Sequence, residues 1–284
     1  MLAVLGDLVE DVVVWPAGPV EPGTDTPARI FRRRGGSAAN VAAAVAGLGA
    51  PVRFLGRVGD DATGRALTAE LAGRGVDVRV QRRGSTGAVV VLVDPGGERT
   101  MLPDRGAAAE LDDADPAWVR GVALLHLPAY GLLADPCAGS ARALAARVRD
   151  DGGAVSVDAS SAAPLRTYGV RRFLDGLAAL APAHLLANAD EAGLLGLPDS
   201  APDGTVVVVK DGPRPARVYL PGTGTAVQVA AVPVPAVRDT TGAGDAFAAG
   251  YLAAITRGAD PAAAAADGHA TAARVLHGPG AAGA

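Results

Sequence analysis

The stretch RRRGGSAANVAAAVAGLGAPVRFLGRVGDDATG (32–64) decides how the chain folds. Its basic, β-prone start is stopped by the pair Gly35-Gly36. SAANVAAAVAGLG (37–49) then reads as a helix of small residues, VRFLG (52–56) as a buried strand, and ATGRALTAELAGRG (62–75) as the next helix. Helix, strand and helix in quick succession are one step of an alternating α/β chain.

Outward from that step the alternation continues. LAVLG (2–6), VALLHL (122–127), AVSVD (154–158), HLLAN (184–188) and TVVVVK (205–210) read as buried strands. DPCAGSARALAARVRDDG (135–152) and VRRFLDGLAALA (170–181) read as helices. Such strands predict a mostly parallel sheet covered on both faces. Strands near 216–220 and 226–230 follow, then helices over about 243–257 and 261–276, with Pro261 suited to a first turn. Two stretches carry no helix of their own. One is 11–34, with four prolines; the other is 77–102, read as the hairpin GAVVVLVD (87–94), PGGE (95–98) and RTML (99–102). Together they predict a small β-sheet lid on a single α/β domain spanning 1–284, able to exclude water on closing.

Composition removes several function classes. Aromatics make up 4% of the chain, so the core is built from Ala, Val and Leu. One cysteine, Cys137, excludes an internal disulfide and reads as buried filler in a reducing cytoplasm. The N-terminal run is interrupted by Asp7, Glu10 and Asp11, which suits a strand and not a signal peptide. No apolar run nears the roughly 18 residues of a membrane span. Net charge is −4 and the only basic cluster is Arg32–Arg34, read as a solvated edge, so nucleic acid is not an expected partner. Asn occurs only at 40 and 188, and Lys only at 210.

The chemistry concentrates in DTTGAGDAFAAGYLAAI (239–255), where a glycine-punctuated turn runs into an apolar helix. Free N–H groups at such a helix start favour an anion. Asp245 in the first turn is either a dipole-complementing acid or a base beside a transferring phosphoryl group. Asp239 or Thr241 could cap the helix. Ser37 is expected to cap the helix at 37–49, and Asn40 in its first turn offers an amide suited to a sugar hydroxyl. Asn188 ends a strand and Glu191 follows three residues on, so a helix start sets both on one side, where a hard cation could use them. Lys210 ends another strand, where ligands of open α/β sheets gather, and Gly212 follows. His126 and His184 read as core residues. GPGAAG (278–283) follows a helix and is no dinucleotide fingerprint.

The GGSAAN…GRVGDDATG and DTTGAGD stretches resemble the two signature regions of the ribokinase-like, or PfkB, carbohydrate kinase family. The similarity runs from GDLVED (6–11) through TG…GERT (86–100) to VLHGPGA (275–281). It implies a three-layer α/β/α fold with a β-sheet lid, and an ATP- and Mg²⁺-dependent phosphotransferase. It further implies that Asp11, Gly35, Gly36 and Asn40 hold the acceptor, and that NADE (188–191) organises Mg²⁺ and phosphates, with Glu191 acting through water. Gly242, Ala243 and Gly244 would form the anion hole, with Asp245 as base; Asp239 and Thr241 would hold a potassium-like ion. Lys210 and Gly212 are assigned to the nucleotide. A sugar acceptor ranks first, because Trp15 and Phe31 are the only aromatics in the first half of the lid. A nucleoside of adenosine or pseudouridine type ranks second, and a non-catalytic ligand-binding homologue last. Exposed lid edges suggest a homodimer.

Overall fold

A computed structural model describes residues 1–277 except 95, 97, 236, 238 and 239. The chain starts with β1 (Leu2–Leu5), whose alternate side chains enter two different cores: Leu2 and Val4 one, Ala3 and Leu5 the other. β2 (Val9–Pro16) and β3 (Ala28–Gly35) form an antiparallel pair, followed by α1 (Ser37–Gly47), β4 (Val52–Val58), α2 (Ala62–Gly73) and β5 (Asp77–Arg82). β6 (Thr86–Val93) and β7 (Arg99–Gly106) pair antiparallel, and β6 runs parallel to β2. Then come β8 (Leu124–Pro128), α3 (Cys137–Asp150), β9 (Ala154–Asp158), α4 (Ala162–Tyr168), α5 (Val170–Leu180), β10 (His184–Asn188) and α6 (Ala189–Leu195). β11 (Val206–Asp211), β12 (Arg214–Tyr219), β13 (Ala226–Val229), α7 (Ala243–Thr256) and α8 (Pro261–Leu276) complete the described order.

Among the described residues, the large sheet runs β13-β12-β11-β10-β9-β8-β1-β4-β5, parallel from β11 to β5 and antiparallel through β12 and β13. α1, α2, α7 and α8 contribute to one core and α3, α5 and α6 to the other, which makes the three layers. The expected α/β/α architecture is present, with a separate sheet β3-β2-β6-β7 beside it. Two boundaries differ from expectation. Residues 77–82 extend the large sheet by pairing parallel with β4, so they are no part of the small one. The small sheet reaches instead from Val9 to Gly35 and from Thr86 to Gly106. α4 was not expected, because ASSAAPLRTY (159–168) lacks a long apolar stripe and contains Pro164. No helix among the described residues is long and apolar enough to cross a membrane.

β1 lies between β4 and β8, so the strand order reverses there and leaves a crevice at the carboxyl ends of the strands. The small sheet is rooted at that crevice. The Arg105 guanidinium donates to both carboxylate oxygens of Asp7 at 2.8 and 2.7 Å, tying β7 to the turn after β1. Asp61 caps α2 through Gly64 N–H at 2.7 Å and also accepts from the Thr86 amide and hydroxyl, each at 2.7 Å, tying α2 to β6. Arg32, Arg33 and Arg34 of β3 are also engaged. Arg32 pairs with Glu10, Arg33 lies 3.6 Å from Asp11, and Arg34 lies 3.5 Å from Glu70. The triplet lies on an edge strand, as read, with Arg32 67% exposed; two acids of β2 and one of α2 face it.

α7 is set by close packing. Ala246, Ala248, Ala249, Ala253 and Ala254 are buried, and a Cβ at Gly250 would stand 2.4 Å from Thr271 Oγ1 and 2.5 Å from the Asp267 carbonyl. Backbone cannot retreat from that contact cheaply, so α7 and α8 lie at a separation only glycine permits. Pro261 stands at the first position of α8 as expected, and Asp260 caps the helix through the amides of Ala262 and Ala263. His184 accepts or donates at 2.8 Å to the Tyr251 hydroxyl, and His126 meets the Ser156 hydroxyl at 3.1 Å; both are core residues, as read from their strands. Overpacking of this kind costs about 1–3 kcal/mol. Gly250→Ala should therefore lower the melting temperature by roughly 2–10 °C; an unchanged thermal unfolding curve would show that α7 can shift.

Candidate active site

Two helix starts from opposite ends of the chain meet at the crevice. Gly36 precedes α1 with φ 94°, and a Cβ there would stand 2.2 Å from the Asp7 carbonyl, so only glycine lets the chain pass. Gly242 precedes α7 with φ 76° and has open space above it. Neither helix has a side-chain cap. Ser37 was expected to cap α1; its hydroxyl instead donates to Asp245 Oδ1 at 2.7 Å. The Asn40 amide donates to Asp245 Oδ2 at 2.9 Å, and the Arg34 guanidinium donates to Asn40 Oδ1 at 2.8 Å. A chain of contacts thus runs from the small sheet through α1 to the first turn of α7.

Asp245 is partly buried, and burial lifts its carboxyl to about 6. The bonds from Ser37 and Asn40 act against that rise, the charge of Asp158 adds to it, and the Lys210 ammonium opposes it. A carboxylate poised near neutrality at a glycine-rich helix start can take a proton from a bound hydroxyl.

On one side lie Asp11 and its neighbours. A Cβ on Gly35 would stand 1.9 Å from Asp11 Oδ1, so the glycine makes room for the carboxylate. Burial raises the Asp11 carboxyl above its ordinary value, while Arg33 and Arg34 pull it down. Asp11, Gly35, Gly36 and Asn40 are therefore gathered at the root of the small sheet, next to Asp245.

On the other side lie the carboxyl ends of β9, β10 and β11. Lys210 Nζ is 2.7 Å from Asp158 Oδ2, and a Cβ on Gly244 would stand 3.7 Å from that ammonium. Asn188 and Glu191 form a capping box: Asn188 Oδ1 accepts from the Glu191 amide at 2.9 Å, and Glu191 accepts from Asn188 N and Nδ2 at 2.8 and 2.7 Å. Burial raises the Glu191 carboxyl, and the charge of Asp158 adds to the rise. Gly212 sits further out, in the exposed turn between β11 and β12 with φ 57°. Thr241 is partly buried just ahead of α7; Asp239, with the tail motif from 278 on, lies outside the described residues.

Three contributors escaped the sequence reading. Ser37 was taken for a cap, Asp158 passed as the end of a strand, and Tyr130 went unnoticed. Tyr130 follows β8, feels the charges of Asp245, Asp158 and Glu191, and has its phenol pushed up to about 12 by burial. For Asp158 a signal existed: among the runs read as buried strands it is the only acid, and it stands at the carboxyl end, where ligands gather.

The pfkB family carbohydrate kinase model matches residues 1–284. The chain belongs to that family. It is a phosphotransferase with a hydroxyl acceptor, of the sugar and nucleoside kinase group, and ATP is the nucleotide such kinases use. A fructokinase of Klebsiella pneumoniae is 34% identical over 274 residues, 89% of this chain and 83% of that protein. An ATP-dependent ribose-1-phosphate kinase of Halopiger xanaduensis is 37% identical over 246 residues, 82% of this chain and 77% of that protein. Adenosine kinase from Sinorhizobium meliloti has the same fold, with a TM-score of 0.85 at 23% identity over 98% of this chain and 94% of that one.

In this pfkB-family chain the charge state of Asp245 also enters stability. Its folded pKa of about 6 lies above the ordinary range of an aspartate carboxyl. The folded protein thus binds the proton more tightly than the unfolded chain, and stability falls as pH climbs through that window. Asp245→Asn abolishes this titration. Its melting temperature relative to wild type should rise between roughly pH 4 and pH 7; a pH-independent difference would mean that the carboxyl is not shifted.

Proposed function

We propose that the chain moves the γ-phosphoryl group of ATP onto a hydroxyl of a small sugar, with Asp245 as the base. The observation that carries this is the position of Asp245. It stands at the N-terminus of α7 between the Asp11–Asn40 group and Lys210 at Gly244.

The acceptor is held by Asp11, Asn40 and the backbone around Gly35 and Gly36. Its hydroxyl takes the place of Ser37 as a hydrogen-bond donor to Asp245 Oδ1, which then receives the proton, while Asn40 keeps its bond to Oδ2. A base so placed contributes about 10²–10⁴-fold in rate. The amides of Gly242, Ala243 and Gly244 face the phosphoryl oxygens, where charge builds up during transfer. The small sheet acts as the lid, and its link to Asp245 through Arg34 and Asn40 keeps lid and base in register.

The donor set also fits Mg²⁺ with its water shell. Both Glu191 oxygens are engaged by Asn188, so an indirect contact leaves the capping box intact, whereas a direct one would break it. Bound there with ATP, Mg²⁺ would supply charge neutralisation for the phosphates. Lys210 and Gly212 are assigned to the nucleotide, and Thr241 with Asp239 to a potassium-like ion. A cytoplasmic setting suits both ATP and the buried free thiol of Cys137.

Sugar acceptors are favoured by the curated relatives, a fructokinase and a ribose-1-phosphate kinase. A nucleoside is the second reading, supported by a cavity of about 430 Å³ lined by Trp15, Phe31 and Arg29, where a base could stack. The lid also exposes Ile30, Met101 and Leu102, each more than half exposed, which supports a homodimer closed over the lids.

Phosphate-ester formation from ATP across sugars, sugar phosphates and nucleosides tests the proposal. A sugar or sugar phosphate should turn over best, and Asp245→Asn should abolish turnover while ATP still binds. kcat/KM should fall below about pH 6 as the base is protonated. Wild-type-like turnover of Asp245→Asn, or preference for a nucleoside, would refute the base or the acceptor respectively. Light scattering should give twice the 28.1 kDa chain mass; a monomer refutes the dimer.

A further inference from the structure

Lys210 is the only lysine in a chain that has 26 Lys and Arg residues; all the others are arginine. It is also among the most enclosed cations: its side chain is 14% exposed and that of its partner Asp158 is 10% exposed. The ammonium is packed against the first turn of α7, 3.7 Å from where a Cβ of Gly244 would be.

Asp158 is fixed at both oxygens. Oδ1 accepts from the Ser160 amide at 2.8 Å, in a turn where Ser160 itself takes φ 65°, and Oδ2 accepts from Lys210 at 2.7 Å. β9 and β11 flank β10, so the ion pair spans the end of β10 and the lysine stem is held on its way to α7. Burial alone would depress the ammonium, but the Asp158 charge and hydrogen bond, with Glu191 and Asp245, hold it above its ordinary value. It therefore stays charged at neutral pH.

This goes one step past the kinase reading and rests on it. We propose that the Lys210 ammonium neutralises the transferring γ-phosphoryl group at the N-terminus of α7, and that Asp158 is the positioning residue that keeps it there. An ammonium has three donors. One is committed to Asp158, and the others are available to phosphoryl oxygens that already face the α7 amides. A charge held in place beforehand needs no reorganisation when the phosphoryl group moves, which is how such contacts accelerate transfer. The pairing also cancels a carboxylate that would otherwise repel the phosphates. A guanidinium is a broad planar fork where an ammonium is a compact point charge.

The test compares ADP with the β,γ-imido analogue of ATP, both with Mg²⁺, by titration calorimetry on wild type, Lys210→Gln, Lys210→Arg and Asp158→Asn. Lys210→Gln and Asp158→Asn should lose roughly ten- to a hundredfold in affinity for the triphosphate analogue. ADP affinity should change by no more than about twofold, and Lys210→Arg should not restore the difference. With the acceptor found in the panel, kcat should fall by roughly 10²-fold while the acceptor KM holds. Equal losses for ADP and the analogue would make Lys210 a general nucleotide anchor and overturn the proposal, as would no loss in Lys210→Gln. A wild-type profile in Asp158→Asn alone overturns its positioning role. Lys210→Gln decides the lysine's part even if Asp158→Asn fails to fold. Wild type binding neither nucleotide would sink the kinase reading itself, whereas normal wild-type binding with unaltered variants sinks only this inference.

Discussion

The site depends on one carboxylate held from two directions. Asp245 accepts from Ser37 and Asn40, residues 208 and 205 positions away in the chain. The contact exists because α7 packs against α8 at glycine distance and against α1 through alanines, while the glycine at 36 turns α1 sharply off the root of the small sheet. Small residues thus do more here than fill volume. They bring two helix N-termini close enough to share one acid, and the burial that follows shifts that acid toward neutral pH.

Around it the charges are unevenly split. Glu191 and Asp245 each feel the charge of Asp158, and Lys210 is the one ammonium that feels all three acids. A triphosphate entering such a site needs added positive charge, which is the physical reason a divalent cation belongs to the proposed function. Burial raises the Glu191 and Asp245 carboxyls, and the charge of Asp158 adds to both shifts. The Arg105–Asp7 and Asp61–Thr86 contacts lie at the base of the small sheet. They anchor the sheet at its root and leave its exposed apolar side chains at the far end.

Much of this was legible in the residues because it is local. Apolar runs fixed the central strands, since a strand buried on both faces has no polar alternation to hide it. The glycine turn before α7 and the asparagines at 40 and 188 stood out by composition. What depends on distant pairing was not legible. DVRVQR (77–82) alternates like a half-exposed hairpin strand, and only its partner β4 shows that it belongs to the large sheet. The 188–191 spacing suits a helix cap as well as a metal contact, and the structure shows the cap. Asp158 and Lys210 lie 52 residues apart on strands separated by a third, so neither sequence neighbourhood contains the other.

The account holds that Asp245 removes a proton and never carries the phosphoryl group. The stereochemical course at phosphorus separates these two roles directly. With ATP made chiral at its γ-phosphorus by oxygen isotopes, a single in-line transfer inverts configuration in the product ester. Inversion is the result predicted here. Retention would require two successive transfers through a phosphorylated side chain and would contradict the role given to Asp245.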